Sequence, residues 1–198
     1  MIKVIAFDYG GVIKINDGDL FADISEFLNI SIGEWSEEYF KANHLFNVQN
    51  VSFEDAFRMI VSKFSDEEYV QNHILDLVKS NKGKYHLNNE LIEFIKDLRE
   101  KGYKTALLSN NSTELRNKLK EHGIIDIFDE IIISAEVGFQ KPQPEIFQIL
   151  FDKLKVKASE VVFIDDSYRS LEGAYGIGYV PVLYKDNESL KLELSNIF

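Results

Sequence analysis

The chain has 198 residues, 45% hydrophobic and 13% aromatic, enough to bury one core or one core with a small appended domain. Its 33 acids against 22 bases give a formal net charge of −11, with no run of consecutive Lys or Arg to follow a phosphate backbone, so no nucleic-acid partner is expected. The absence of cysteine excludes disulfides, thiolate metal ligands and a cysteine nucleophile.

The opening residues, MIKVIAFDYG, give a strand pattern over 3–7 that ends in an acid. They lack the charged start, long apolar stretch and small-residue cleavage site of an export segment, so a cytoplasmic location is expected. No run approaches the roughly 18 apolar residues of a spanning helix, and no membrane partner is expected.

From 16 to 85, helical patterns follow one another at 20–28, 34–42, 53–64 and 66–80 without a convincing strand. A departure of ~70 residues from a sheet is better explained by an inserted subdomain than by one loop. Tyr39, Phe40, Phe46, Phe53 and Phe57 are expected to form its core, and the acids between Asp23 and Glu38 a solvated face. The Gly11 and Gly18 region and residues 82–86 are the expected hinges.

Beyond the insertion, β-rich runs at 104–108, 130–133, 161–164 and 179–183 alternate with helical stretches. Such alternation predicts an α/β fold, a parallel sheet flanked by helices. NNELIEFIKDLREKG repeats Leu91, Ile92, Ile95 and Leu98 at helical spacing and stops at Gly102, a C-terminal capping glycine. PEIFQILFDKLK opens on Pro144, which suits a first helical turn. Residues 1–15 and 86–198 are expected to form the sheet-bearing core, and 16–85 the insertion.

Polar residues stand where the apolar runs stop: Asp8, Ser109 and the pair Asp165 and Asp166, with Lys141 a few residues beyond another strand. The carboxyl ends of parallel strands line one crevice, so a single site can hold all of them. An acid, a hydroxyl, an ammonium and two further acids are what phosphoryl transfer through a carboxylate nucleophile requires. Each has a plainer reading: Asp8 as a turn acid, Ser109 as a cap for the helix in STELRNKLKEHG, Lys141 as a solvated lysine. Consecutive strand side chains point to opposite faces, so Asp165 and Asp166 both reach the crevice only if their strand has ended.

AFDYGGVI, ALLSNN, SAEVGFQKPQPEIF and VFIDDS, in this order, resemble the four motifs of the haloacid dehalogenase-like hydrolases. The resemblance implies a Rossmann-like core with a mobile helical cap, and Mg²⁺-dependent phosphatase activity on a small phosphorylated metabolite. It implies Asp8 as the nucleophile that is transiently phosphorylated, Ser109 and Asn110 at the phosphate, and Lys141 neutralising charge between Asp8 and the phosphoryl group. Asp8, the backbone carbonyl of Gly10, Asp166 directly and Asp165 through water would hold the metal. Hard oxygen donors favour Mg²⁺ over zinc.

One position departs from the family pattern. The acid two residues after the nucleophile, the usual general acid and base, is here Gly10. A positioned proton carrier contributes ~10²–10⁴-fold, so a slow enzyme, selective for good leaving groups, is expected, with Asp17, Asp19 or a cap residue as a partial substitute. The competing functions are a phospho-ligand binding protein without turnover and a metal-independent haloacid dehalogenase, which the paired aspartates disfavour. His44, His73, His86 and His122 show no metal spacing and are expected to be structural, as is an exposed Arg169 at a helix start.

Overall fold

The structure is a computed structural model. It describes residues 1–49, 51–81 and 83–198, without the side chains of Phe46 and Phe53, so the expectations for Phe46, Phe53 and Lys82 lie outside the described residues. The chain divides into two compact units, one of Met1–Ile15 with Leu87–Phe198 and one of Asn16–His86.

Among the described residues, seven strands form in chain order: β1 (Val4–Phe7), β2 (Lys14–Asn16), β3 (Tyr85–Leu87), β4 (Lys104–Ser109), β5 (Glu130–Ile133), β6 (Val161–Asp165) and β7 (Val180–Leu183). Five of them make one sheet in the order β5-β4-β1-β6-β7, with every neighbouring pair parallel. This is the α/β architecture the alternating pattern predicts. Both faces of the sheet are covered, which is why its strands are near-continuous apolar runs. Ile5, Phe7, Leu107, Val162 and Ile164 face one apolar layer. Val4, Ala6, Leu108, Val161 and Phe163 face the other, where Ile146, Phe147 and Leu150 pack.

The flanking helices carry their own start and stop signals. Asn88 caps Asn89–Glu100 by accepting from the Leu91 N–H, and the helix buries Leu91, Ile92, Ile95 and Leu98. Gly102, at φ 92°, turns the chain away behind it. Pro144 opens Pro144–Leu154, which buries Ile146, Phe147, Leu150, Phe151 and Leu154.

The second unit is helical: Leu20–Leu28, Ile32–Ala42, His44–Asn47, Phe53–Val61 and Glu68–Asn81. Its core holds Ile24, Trp35, Phe57, Ile60, Val61, Val70, Ile74 and Leu75, with Tyr39 partly buried against it. Phe40, expected in this core, is instead exposed. Ser31 and Glu34 form a capping box that starts the second helix at Ile32, two residues before its apolar pattern suggests. The fourth helix ends at Val61 rather than 64, because Lys63 and Phe64 bond back only three residues, to Ile60 and Val61.

Two short strands escape the sequence reading. β2 and β3 pair with each other in a second sheet, so residues 85 and 86, assigned to a hinge, belong to a strand. Three residues are too few for alternation to register as a pattern. Among the described residues no helix is long and apolar enough to cross a membrane.

Candidate active site

β1 sits at the centre of the sheet, with the chain continuing to β4 on one side and β6 on the other, so the strand order reverses beside its carboxyl end. Asp8 is the first residue beyond β1 and donates its backbone N–H to Ile164 O at 2.9 Å. Phe7 is in register with Leu107 and with Ile164. Ser109 and Asp165 therefore close the two neighbouring strands beside Asp8.

Lys141 joins the acids. Its Nζ lies 2.9 Å from Asp8 Oδ1 and 2.6 Å from Asp165 Oδ2. The Lys141 side chain is only 2% exposed, and its Nζ stands 5.1 Å from the centroid of the Phe163 ring. This is no solvated surface lysine. Burial alone would push its pKa down, but the charges of Asp8 and Asp165 outweigh burial and hold it above the ordinary lysine value.

The strand does end at Asp165. The two oxygens of Asp165 are taken, Oδ2 by Lys141 and Oδ1 by the Ser167 N–H at 2.8 Å. Asp166 is exposed, yet its carboxylate is tucked against the Gly11 backbone. Partial burial first, then the charges of Asp8 and Asp165, push the Asp166 carboxyl up to about 7. One carboxylate oxygen from each of Asp8, Asp165 and Asp166 lies within 4.8 Å of the others.

Asn110 follows Ser109. Its Oδ1 accepts from the Lys141 N–H at 2.8 Å, and its Nδ2 donates to the Lys141 carbonyl at 3.0 Å. The carboxamide thus pairs with the Lys141 backbone and keeps a second Nδ2 proton. Asn111 is held in a similar way: its N–H donates to Ser134 Oγ at 3.0 Å and its carbonyl accepts from that hydroxyl at 3.2 Å. Ser109 itself is buried, and the next long helix starts only at Leu115, which sets aside Ser109 as its cap.

The turn after Asp8 is short and braced. Ile13 and Lys14 donate to Tyr9 O at 3.0 and 2.7 Å, and the Gly11 N–H donates to Lys14 O at 2.8 Å. At Gly10 a Cβ would meet nothing within 4 Å. Gly11, which the sequence reading treats only as part of a hinge, is different. It has φ 75°, and a Cβ there would overlap Asp166. The Gly-Gly pair after a strand-ending acid is the one signal in the sequence that points to it.

Residues outside this cluster have other partners. Asp17 Oδ1 is 2.6 Å from His86 Nδ1, and Asp19 caps Leu20–Leu28 by accepting from the Ala22 N–H. His44 Nδ1 lies 2.9 Å from Lys41 O, His73 stacks on Phe27 at 4.0 Å, and His122 ends the helix Leu115–Glu121. Arg169 is exposed in Tyr168–Leu171.

A family model described as haloacid dehalogenase-like hydrolase matches residues 2–178. The glyceraldehyde 3-phosphate phosphatase of Methanocaldococcus jannaschii is 26% identical over 216 residues, covering 95% of this chain and 89% of that protein. The bifunctional epoxide hydrolase 2 of Sus scrofa is 30% identical over 141 residues, covering 66% of this chain. The chain spans about a quarter of the length of such larger relatives, 24% for the pig protein. Among solved structures, a wild-type haloacid dehalogenase family enzyme from Bacteroides thetaiotaomicron, in complex with magnesium and inorganic phosphate, superposes with a TM-score of 0.65 at 21% identity, covering 96% of this chain and 99% of that one.

Proposed function

Because the chain belongs to the haloacid dehalogenase-like hydrolases, we propose that it is a Mg²⁺-dependent phosphohydrolase acting on a small phosphorylated metabolite through an aspartyl-phosphate on Asp8. The observation that carries this reading is the bridge of Lys141 between Asp8 and Asp165. An ammonium fixed on a nucleophilic carboxylate stands where negative charge accumulates during attack on phosphorus. The phosphatase relatives support the reaction class.

The donor set fits a hard divalent cation. Three carboxylates face one ammonium, and a phosphate would add further negative charge, so the cluster calls for a cation before such a ligand can enter. Asp8, Asp166 and the Gly10 carbonyl would hold it directly, with Asp165, already bonded to Lys141 and Ser167, one shell out. When bound, Mg²⁺ supplies charge neutralisation for the phosphoryl oxygens. The magnesium and phosphate complex of the Bacteroides enzyme agrees with this choice of ion.

In the first half-reaction an Asp8 oxygen attacks phosphorus and the bond from phosphorus to the leaving oxygen breaks. Lys141 balances the charge shared by Asp8 and the phosphoryl group, and the Ser109 hydroxyl donates to a phosphoryl oxygen. In the second, water attacks phosphorus and the bond from phosphorus to Asp8 breaks, giving inorganic phosphate and the free carboxylate. The leaving oxygen has no proton donor at Gly10, so it departs with a proton from water or as a stable anion. Acyl, enol and aryl phosphates are therefore the favoured substrates.

Gly10 also favours a second reading, a phospho-ligand binding protein without turnover. Losing ~10²–10⁴-fold from an acceleration that reaches ~10²¹-fold for phosphate monoesters leaves ample catalysis, and the enzyme reading stands ahead. Screening phosphorylated metabolites for phosphate release with Mg²⁺, beside Asp8→Asn, tests it. Release that Asp8→Asn abolishes supports the enzyme; release that survives the substitution, or binding without release, overturns it.

A further inference from the structure

We infer that Asn110 is a positioning residue that sets Lys141, and this inference rests on the reading above. A lysine is a poor fixed charge, because its four-carbon stem has many rotamers and its ammonium no preferred direction. Lys141 nevertheless meets two acids, 2.9 Å from Asp8 and 2.6 Å from Asp165. Its loop, between Gly138 and the helix Pro144–Leu154, has no ladder of its own to hold it.

The Asn110 carboxamide supplies that ladder. It accepts from the Lys141 N–H and donates to the Lys141 carbonyl, at 2.8 and 3.0 Å, completing both backbone bonds of a residue that otherwise has no strand neighbour. Asn111 is stitched to Ser134, the first residue of the short helix Ser134–Val137 that leads into this loop. Asn110 is joined covalently to Ser109, the last residue of β4. The hydroxyl and the ammonium are thereby tied through a single residue, so the sheet fixes the spacing between them.

A double-mutant cycle separates the two roles. Asn110→Ala and Asn110→Asp are each made alone and on a Lys141→Gln background, which removes the charge. The cycle is read as kcat with p-nitrophenyl phosphate and Mg²⁺, and as the Kd of orthovanadate, which needs no turnover. A misplacement of ~1 Å can cost about 10²-fold, so Asn110→Ala should lower kcat by about that factor. Asn110→Asp, which still accepts from the Lys141 N–H but cannot donate to its carbonyl, should fall between. With Lys141→Gln present the positive charge is already lost, and Asn110→Ala should cost less than about 3-fold more, in kcat and in Kd alike. Circular dichroism confirms folding at the assay temperature, and Asn110→Asp carries the cycle alone if Asn110→Ala does not fold. The same factor on both backgrounds, or no effect on either, overturns the inference. A wild type that binds vanadate without turnover ends the proposed hydrolysis but still decides the cycle through Kd.

Discussion

The carboxylate of Asp166 lies over the backbone of Gly11 so closely that a Cβ on Gly11 would overlap its Oδ2 and Cγ. Gly11 also sits at φ 75°, where a side chain is strained whatever the space. Gly11→Ala should therefore push Asp166 out of the acid cluster. The expected outcome is a loss of about 10²-fold in Mg²⁺-dependent activity, with stability lowered by roughly 1–2 kcal/mol from the backbone alone. Gly10→Ala, whose Cβ meets nothing within 4 Å, should stay within about 1 kcal/mol of wild type in urea unfolding.

Lys141→Met removes the one cation that faces Asp8 and Asp165 among the described ion pairs. Breaking a buried ion pair by deleting one partner typically costs about 3–5 kcal/mol, because the remaining charge is left unpaired. Urea unfolding at pH 8 without metal should show a loss of that order. A loss under about 1 kcal/mol would mean that the acids are better solvated than their burial indicates.

Asp166 gives a pH dependence of defined sign. Its carboxyl is pushed up to about 7, above the ordinary aspartate value of 3.8, so folding favours its protonated form. The stability tied to this group is fully present below about pH 4 and is lost as pH rises toward 7. Without metal, Asp166→Asn should be more stable than wild type at pH 8, and the two should converge near pH 4. Mg²⁺ should raise the Tm of wild type more than that of the variant. Matching Tm profiles for the two proteins, with and without Mg²⁺, would remove the like-charge crowding on which this rests.

Gly10→Asp adds the missing acid where open space receives it. Turnover of alkyl phosphates should rise, by at most ~10²–10⁴-fold, while that of aryl phosphates changes little, since their leaving groups need no proton. Steady-state kinetics on matched alkyl and aryl phosphates measures the ratio. A folded variant with an unchanged ratio would mean that proton supply is not what limits this chain.

The central strands were legible because they are buried on both faces: the β-branched runs VIAF and VVFI are short, apolar throughout and each followed by a polar residue. Helix starts were legible where a cap stands beside the apolar pattern, as at Asn88 and Pro144, and less so at Ile32, where the Ser31 and Glu34 box starts the helix before that pattern begins. β2 and β3 were not legible, since three residues carry no period and their pairing spans about 70 residues of chain. Asn110 and Gly11 show the same limit within the site. The direction of a carboxamide and the packing of a carboxylate on a glycine depend on loops far apart in sequence, at 141 and 166. Phe40 was placed in the core on its type alone, although its position puts it on the outer face of its helix.

The most direct measurement is covalent trapping of the phosphoryl group. The protein is mixed with Mg²⁺ and radiolabelled acetyl phosphate, quenched in acid within a turnover, digested and mapped. Label should appear on the peptide that carries Asp8, and be absent from Asp8→Asn. Rapid phosphate release with no label on Asp8, or label on another residue, would contradict the account.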